Sequence, residues 1–111
     1  MSQFGFLDTM QKEIDAAGWP VPVVILGVNA VGQESGNAYA CAGKDIPWLQ
    51  DTVAQDVWGK WGVAWRDLVI LDRDNVVVDV VNLTTFDLAD STNYAVLRDK
   101  LRVAAGGEAA P

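Results

Sequence analysis

A chain of 111 residues with 50% hydrophobic residues, 21% charged residues and five tryptophans suits one compact domain rather than a disordered segment. Folding should bury roughly two thirds of the surface that the unfolded chain exposes. Eight basic against fifteen acidic residues leave a net charge of −7, which repels nucleic-acid backbones and anionic membrane surfaces and argues against both as partners.

One cysteine, Cys41, and no histidine exclude from these residues an internal disulfide, CxxC chemistry, a Cys/His zinc site and any mechanism with a histidine base. The opening residues MSQFGFLDTM lack the basic region and apolar run of a secretory signal. No apolar stretch reaches the roughly 18 residues that span a bilayer. The expectation is a cytoplasmic protein.

In FLDTMQKEIDAAG, Phe6, Met10, Ile14 and Ala17 recur at steps of three and four, which predicts a helix with these residues on its inner face. Asp8 and Lys12 form an outward i,i+4 pair, and Gly18 supplies the left-handed residue that ends the helix. After Pro20 and Pro22, the run VVILGV, Val23 to Val28, reads as a strand. It shows no alternation, so burial on both faces is expected. Residues 29 to 46, with three glycines, read as a long loop containing at most a short helical turn.

Thr52-Val-Ala-Gln55 has the spacing of a capping box, and Val53, Val57, Trp58 and Trp61 continue it as a second helix to Gly62. Leu68 to Leu71 and Val76 to Val81 are β-rich runs joined by the polar turn Asp72-Arg73-Asp74-Asn75, which predicts an antiparallel hairpin. A last helix starts near Asp90 or Ser91 and puts Tyr94, Leu97, Leu101 and Ala104 on one face. Residues 1–105 form a single domain on this reading, and 106–111 a flexible tail. The order helix, strand, helix, hairpin, helix gives an α/β class in which helices flank a mixed sheet with a C-terminal antiparallel hairpin.

The stretch GVAWRDLVILDRDNVVVDV resembles a segment of peroxiredoxins and membrane-anchored thioredoxins. There a Gly-Val pair precedes a strand ending in Asp, a turn and a return strand. Together with the element order, the chain resembles the thioredoxin-like superfamily over nearly all of residues 4 to 104, as a truncated thioredoxin-like fold. In that family the CxxC or the peroxidatic cysteine lies between the first core strand and first core helix, and MSQFGFLDTMQKEI is similar to the part of that helix after the cysteines. A cis-proline before the third core strand is also a family feature, and Trp65-Arg66-Asp67 stands in its place. Arg66 matches an arginine of the peroxiredoxin pattern R-G-L-F-I-I-D, while the second arginine of that pattern falls near Val78.

What the resemblance implies is a scaffold without the dithiol. The strand missing from it is central, between the strands corresponding to Val23–Val28 and Leu68–Leu71. Three outcomes are open: the two strands pair directly, a second chain fills the gap as in a homodimer, or a segment upstream supplies it.

Four candidate sites remain. Trp65, Arg66 and Asp67 are binding candidates, weighed against a structural Arg66–Asp67 ion pair. Of Trp48, Trp58, Trp61 and Trp65, which could form an aromatic surface, Trp58 and Trp61 sit at core-facing helical positions and Trp65 is the one expected to be exposed. Cys41 is a redox candidate, weighed against a partly buried and inert small residue with Lys44 as its one close cation. Asp72-x-Asp74 opens like a calcium loop but lacks the later ligands, so no metal is assigned. Asn82-Leu83-Thr84 fits a glycosylation sequon and is read as shaping the turn after the hairpin. No catalytic residue and no cofactor is assigned. The expected function is non-catalytic binding, to a protein partner or to a second copy. Its rivals are a single-thiol redox protein using Cys41 and a fragment of a complete thioredoxin-like oxidoreductase.

Overall fold

The computed structural model describes residues 2–19 and 22–106. These residues form a mixed α/β fold, and nearly all of the expected tail, residues 107–111, lies outside them.

Helix α1, Gln3–Ala17, begins where Ser2 Oγ accepts from the Gly5 N–H at 3.0 Å and ends at Gly18, whose φ of 67° is left-handed. Side-chain capping and a glycine stop are the usual helix boundaries. Leu7, Met10 and Ile14 are its buried apolar side chains, and Phe6 packs at the margin of the core. Ala17 is exposed, so the inner stripe is turned slightly from the predicted one. Asp8 also departs from expectation. It is only 5% exposed because its Oδ1 accepts from the N–H groups of Asp45, at 2.8 Å, and Ile46, at 3.2 Å.

The VVILGV run is a strand over a shorter span than expected. Only β1, Gly27–Asn29, pairs, and it does so in parallel with β2, Trp48–Gln50. Strand β2 falls within a stretch where no strand is expected from the sequence. Nor is the run buried on both faces: Ile25 is in the core, while Val24 is 72% and Leu26 46% exposed. Successive side chains of an extended segment point to opposite sides, and α1 covers only the Ile25 side. Gly27 is required by close packing, since a Cβ there would collide with the Trp48 ring and lie 2.8 Å from Phe4 Cε1.

The long loop holds a 3-10 turn at Glu34–Gly36 and helix α2, Asn37–Cys41. The expected helix from Thr52 is reduced to α3, Val57–Trp61. Thr52 Oγ1 does accept from the Gln55 N–H at 3.1 Å, but Asp56 adopts φ 44°, which ends that turn. Asp51, 2% exposed, then caps the helix proper, accepting from the N–H groups of Val57 and Trp58, each at 3.0 Å. Trp61 is half exposed rather than in the core.

The hairpin forms as expected, with β3, Asp67–Leu71, antiparallel to β4, Val77–Asn82, and a register shift at Ile70/Leu71 that passes over Val78. Asn75 closes the turn at φ 62°. Asn82 Oδ1 accepts from the Thr84 and Thr85 N–H groups at 3.0 and 3.2 Å, so the Asn82-Leu83-Thr84 segment does shape the turn that follows. Helix α4, Ser91–Ala104, is capped by Asp90.

One core joins these elements: Leu7, Met10 and Ile14 from α1, Ile25, Ile46, Ile70 and Val81 from the strands and their flanks, and Leu97 and Leu101 from α4. Side chains link α1 to α4 and to the turn before it. Arg98 and the Tyr94 hydroxyl both reach Glu13, while Gln3 donates to Asp87 at 2.7 Å and accepts from the Leu88 N–H at 2.9 Å. Among the described residues no helix is long and apolar enough to cross a membrane.

Candidate binding surface

The strands form two separate two-stranded sheets, β1–β2 and β3–β4. Direct pairing of the VVILGV strand with the Leu68–Leu71 strand, one of the three outcomes expected, does not occur. The register shows which backbone groups remain open, because alternate residues of a strand present their N–H and C=O to opposite edges.

Along the first strand the odd residues face inward. The Gly27 N–H donates to the Pro47 carbonyl at 2.9 Å and the Asp51 N–H to the Asn29 carbonyl at 3.0 Å. Before β2 begins, Gln11 takes its place: its Nε2 donates to the Val23 carbonyl at 2.8 Å and its Oε1 accepts from the Ile25 N–H at 2.6 Å. The even residues Val24, Leu26 and Val28 face the opposite edge. There the Val28 carbonyl accepts from Trp58 Nε1 at 3.0 Å, and Val24 and Leu26 meet no partner among the described residues.

In the hairpin the Leu83 N–H donates to the Arg66 carbonyl at 2.8 Å, and the paired register continues through Leu68↔Val81 and Ile70↔Asp79. The even residues of β3 therefore face β4. Val69 and Leu71 face away from it, and their backbone groups likewise meet no partner among the described residues. Unpaired strand edges of this kind are ready templates for another strand. Val24 and Leu26 are exposed, which spares their backbone groups the full penalty of burial without a partner, while Val69 and Leu71 are half-buried.

At the start of β3 the structure brings Trp65, Arg66 and Asp67 together, but without the expected ion pair. The Arg66 guanidinium lies 4.3 Å above the Trp65 ring, which is 66% exposed. Asp67 instead accepts from the Ala64 N–H at 2.8 Å and from Asn82 Nδ2 at 2.9 Å. Those two bonds, the Ala64 one first, hold its carboxyl below the usual carboxylate range. Arg66 has φ 64°, a conformation that costs a bulky residue on the order of 1 kcal/mol. Asn82 holds the bend from the other side, its Nδ2 also donating to the Trp65 carbonyl at 3.2 Å.

Cys41, the redox candidate, is exposed at the end of α2 and not partly buried. Lys44 turns back, its Nζ donating to the Ala42 carbonyl at 3.2 Å. The loop around it is fixed by an amide network: Asn37 Oδ1 accepts from Trp48 Nε1 at 2.7 Å, and Asn29 Nδ2 donates to Asn37 at 2.9 Å and Gln50 at 3.0 Å. Asp72 uses Oδ1 to accept from the Asp74 and Val76 N–H groups, the work of a turn residue. No group of three or more metal-binding side chains occurs among the described residues.

A groove of about 530 Å³ runs between α1 and the segments at residues 22–25 and 45–47. Several of its polar side chains are already engaged. Lys12 bridges Asp8 at 3.1 Å and Asp45 at 3.4 Å, and Gln11 holds Val23, Ile25 and Asp15. Neither Gln11 nor β2 carries a sequence signal of its role: Trp48-Leu49-Gln50-Asp51 runs apolar, apolar, polar, polar and shows no strand alternation.

Compared with known proteins, the chain matches no family model, no curated protein and no solved structure.

Proposed function

We propose that this chain is a non-catalytic thioredoxin-like protein that acts by binding, to a protein partner or to a second copy as a dimer, and has no dithiol redox activity. The single observation that carries the reading is the pair of open backbone edges, Val24/Leu26 in the extended segment that leads into β1 and Val69/Leu71 on β3, beside one shared core. A sheet that ends in paired or covered edges needs no partner; one with apolar edges whose backbone groups are unpaired has the means to recruit one. The thioredoxin-like part of the proposal is supported by the order of elements and by the core that α1 and α4 share with the hairpin. Dithiol exchange needs two thiols, and the sequence holds one.

The test is an insulin-reduction turbidity assay with dithiothreitol, run beside the Cys41→Ser variant. No turnover above that variant is expected, and Cys41-dependent turnover overturns the proposal. The exposure of Cys41 favours one rival reading, a single-thiol redox protein forming mixed disulfides. Mass spectrometry after treatment of the native protein with oxidised glutathione separates the two. An unmodified Cys41 removes the rival; stoichiometric glutathionylation that thioredoxin-type reductants reverse supports it.

A further inference from the structure

Resting on the reading that the chain acts by binding, we infer that its partner is a second copy, joined through the outer edges of the two β3 strands in antiparallel register, with Val69 of each copy facing Leu71 of the other. The open backbone groups define that register. Along β3 the odd residues point away from β4, and the first of them, Asp67, already gives its N–H to the Ala64 carbonyl at 3.0 Å. Val69 and Leu71 are left with open N–H and C=O groups. A two-fold axis at Ile70 sets Val69 opposite Leu71 of the second copy, and the reverse, so that all of these groups pair. An axis at Val69 would set Leu71 against Asp67, whose N–H is committed.

The same register matches charge. Continued outward, it sets Asp67 across from Arg73 of the second copy and Arg66 across from Asp74, once on each side of the axis. The segment Arg66-Asp-Leu-Val-Ile-Leu-Asp-Arg-Asp74 thus complements its own charges when laid in reverse against a copy, and this selects a second copy over a foreign strand. Arg66, Arg73 and Asp74 are exposed. Arg66 lies over Trp65 by the face of its guanidinium, which leaves in-plane N–H donors for a carboxylate. Asp72, which falls opposite Leu68, turns its carboxylate into its own loop. Val69 and Leu71 pair with Val80 and Val77 on the face turned away from the core, so the joined sheet carries one apolar stripe across both copies.

Two other edges are poorer hosts. On β4 the register passes over Val78, and an irregularity of that kind twists an edge away from further pairing. The outer edge of β1 is closed at Val28, whose carbonyl accepts from Trp58 Nε1. The net charge of −7 on each copy opposes the dimer at long range and keeps it concentration-dependent.

Sedimentation equilibrium from about 1 µM to 1 mM should show a reversible monomer–dimer equilibrium. Amide exchange of the parent protein, read by NMR at low and high concentration, should show the Val69 and Leu71 N–H groups gaining protection as the dimer fills, while those of Val24 and Leu26 are unchanged. Asp74→Arg makes the chain less acidic, which at long range favours association. It should nonetheless weaken the dimer at least about fivefold, since it turns an attraction that occurs twice into a repulsion. Arg66→Asp, a residue that tolerates the φ of 64° there, should weaken it as well. The double variant should return to within about twofold of the parent.

A monomer at every concentration overturns the inference and leaves the edge to a different protein. A dimer in which Val69 and Leu71 exchange as fast as in the monomer overturns the choice of edge. An undiminished dimer in Asp74→Arg, or a double variant no tighter than the single ones, overturns the register. The exchange measurement needs no variant, so it decides even where a substitution fails to fold. None of these outcomes bears on insulin reduction, so the inference and the non-catalytic reading fail separately.

Discussion

Gln11 and Ile25 are joined as neighbouring strands would be. The glutamine Oε1 accepts from the Ile25 N–H at 2.6 Å while its Nε2 donates to the Val23 carbonyl at 2.8 Å. A helix side chain thus satisfies backbone groups that β2 is too short to reach. Ile25 is buried, so leaving its N–H without a partner has an unfolding cost of about 1–3 kcal/mol. Gln11→Leu should lose that amount in urea denaturation, and Gln11→Glu, which keeps the acceptor and loses the donor, should lose less. Equal stability of Gln11→Leu and the parent would remove Gln11 from its structural role.

Gly27 tests how closely α1 sits on β1. A methyl group there meets the rings of Trp48 and Phe4, which already contact each other edge to face with centroids 4.8 Å apart. Gly27→Ala should destabilise by about 1–3 kcal/mol through overpacking. Adding Phe4→Leu should recover part of the loss, because the double variant makes room where the single one cannot.

The fold should be acid-labile. The N–H of Asp45, then burial working in the opposite direction, then Lys12, leave Asp8 below the ordinary carboxylate value. For Asp51 the N–H groups of Trp58 and Val57 do the same, and for Asp79 it is Lys100. With the folded value below the unfolded one, the unfolded chain takes up protons first as pH drops. Stability from these groups is therefore complete above about pH 5 and declines as pH falls through about 4 and below. With no histidine, the profile should be flat between about pH 5 and 7. A thermal-melting series across pH 2 to 7 checks this, and a midpoint that rises on acidification would contradict it.

How much of this was legible beforehand depends on what decides each element. The hairpin and α4 could be read because their signals are local: β-branched runs around Asp72–Asn75, and an Asp90 cap before a 3.6-residue apolar period. The second helix was misread since Thr52–Gln55 carries a true local turn, yet the left-handed Asp56 and the buried carboxylate of Asp51 move the helix start to Val57. Burial of Val23–Val28 on both faces was inferred from an apolar run, a pattern that records composition but not which face a neighbour covers. Asp8 looked like a surface charge because its partners, Asp45 and Ile46, are distant in sequence. Trp65 was correctly read as exposed, while the expected Arg66–Asp67 pair gave way to stacking on Trp65 and to the Asn82 amide.

The bend at Arg66 offers a separate test of the exposed Trp65 surface. Arg66→Gly relieves the left-handed strain and loosens the unfolded chain, two effects that oppose each other. Stability should stay within about 1 kcal/mol of the parent. Trp65 fluorescence should change as its stacked cation is lost. A loss well beyond that range would show that Arg66 has a structural partner other than the indole.

Amide hydrogen exchange on dilute monomer, read residue by residue by NMR, tests the open-edge architecture most directly. Leu68, Ile70 and Val81, whose N–H groups lie within the β3–β4 ladder, should be slow, whereas Val24, Leu26, Val69 and Leu71 should exchange rapidly. Strong protection of Leu26 and Val69 in the monomer would mean that the two sheets are joined, and would contradict the account.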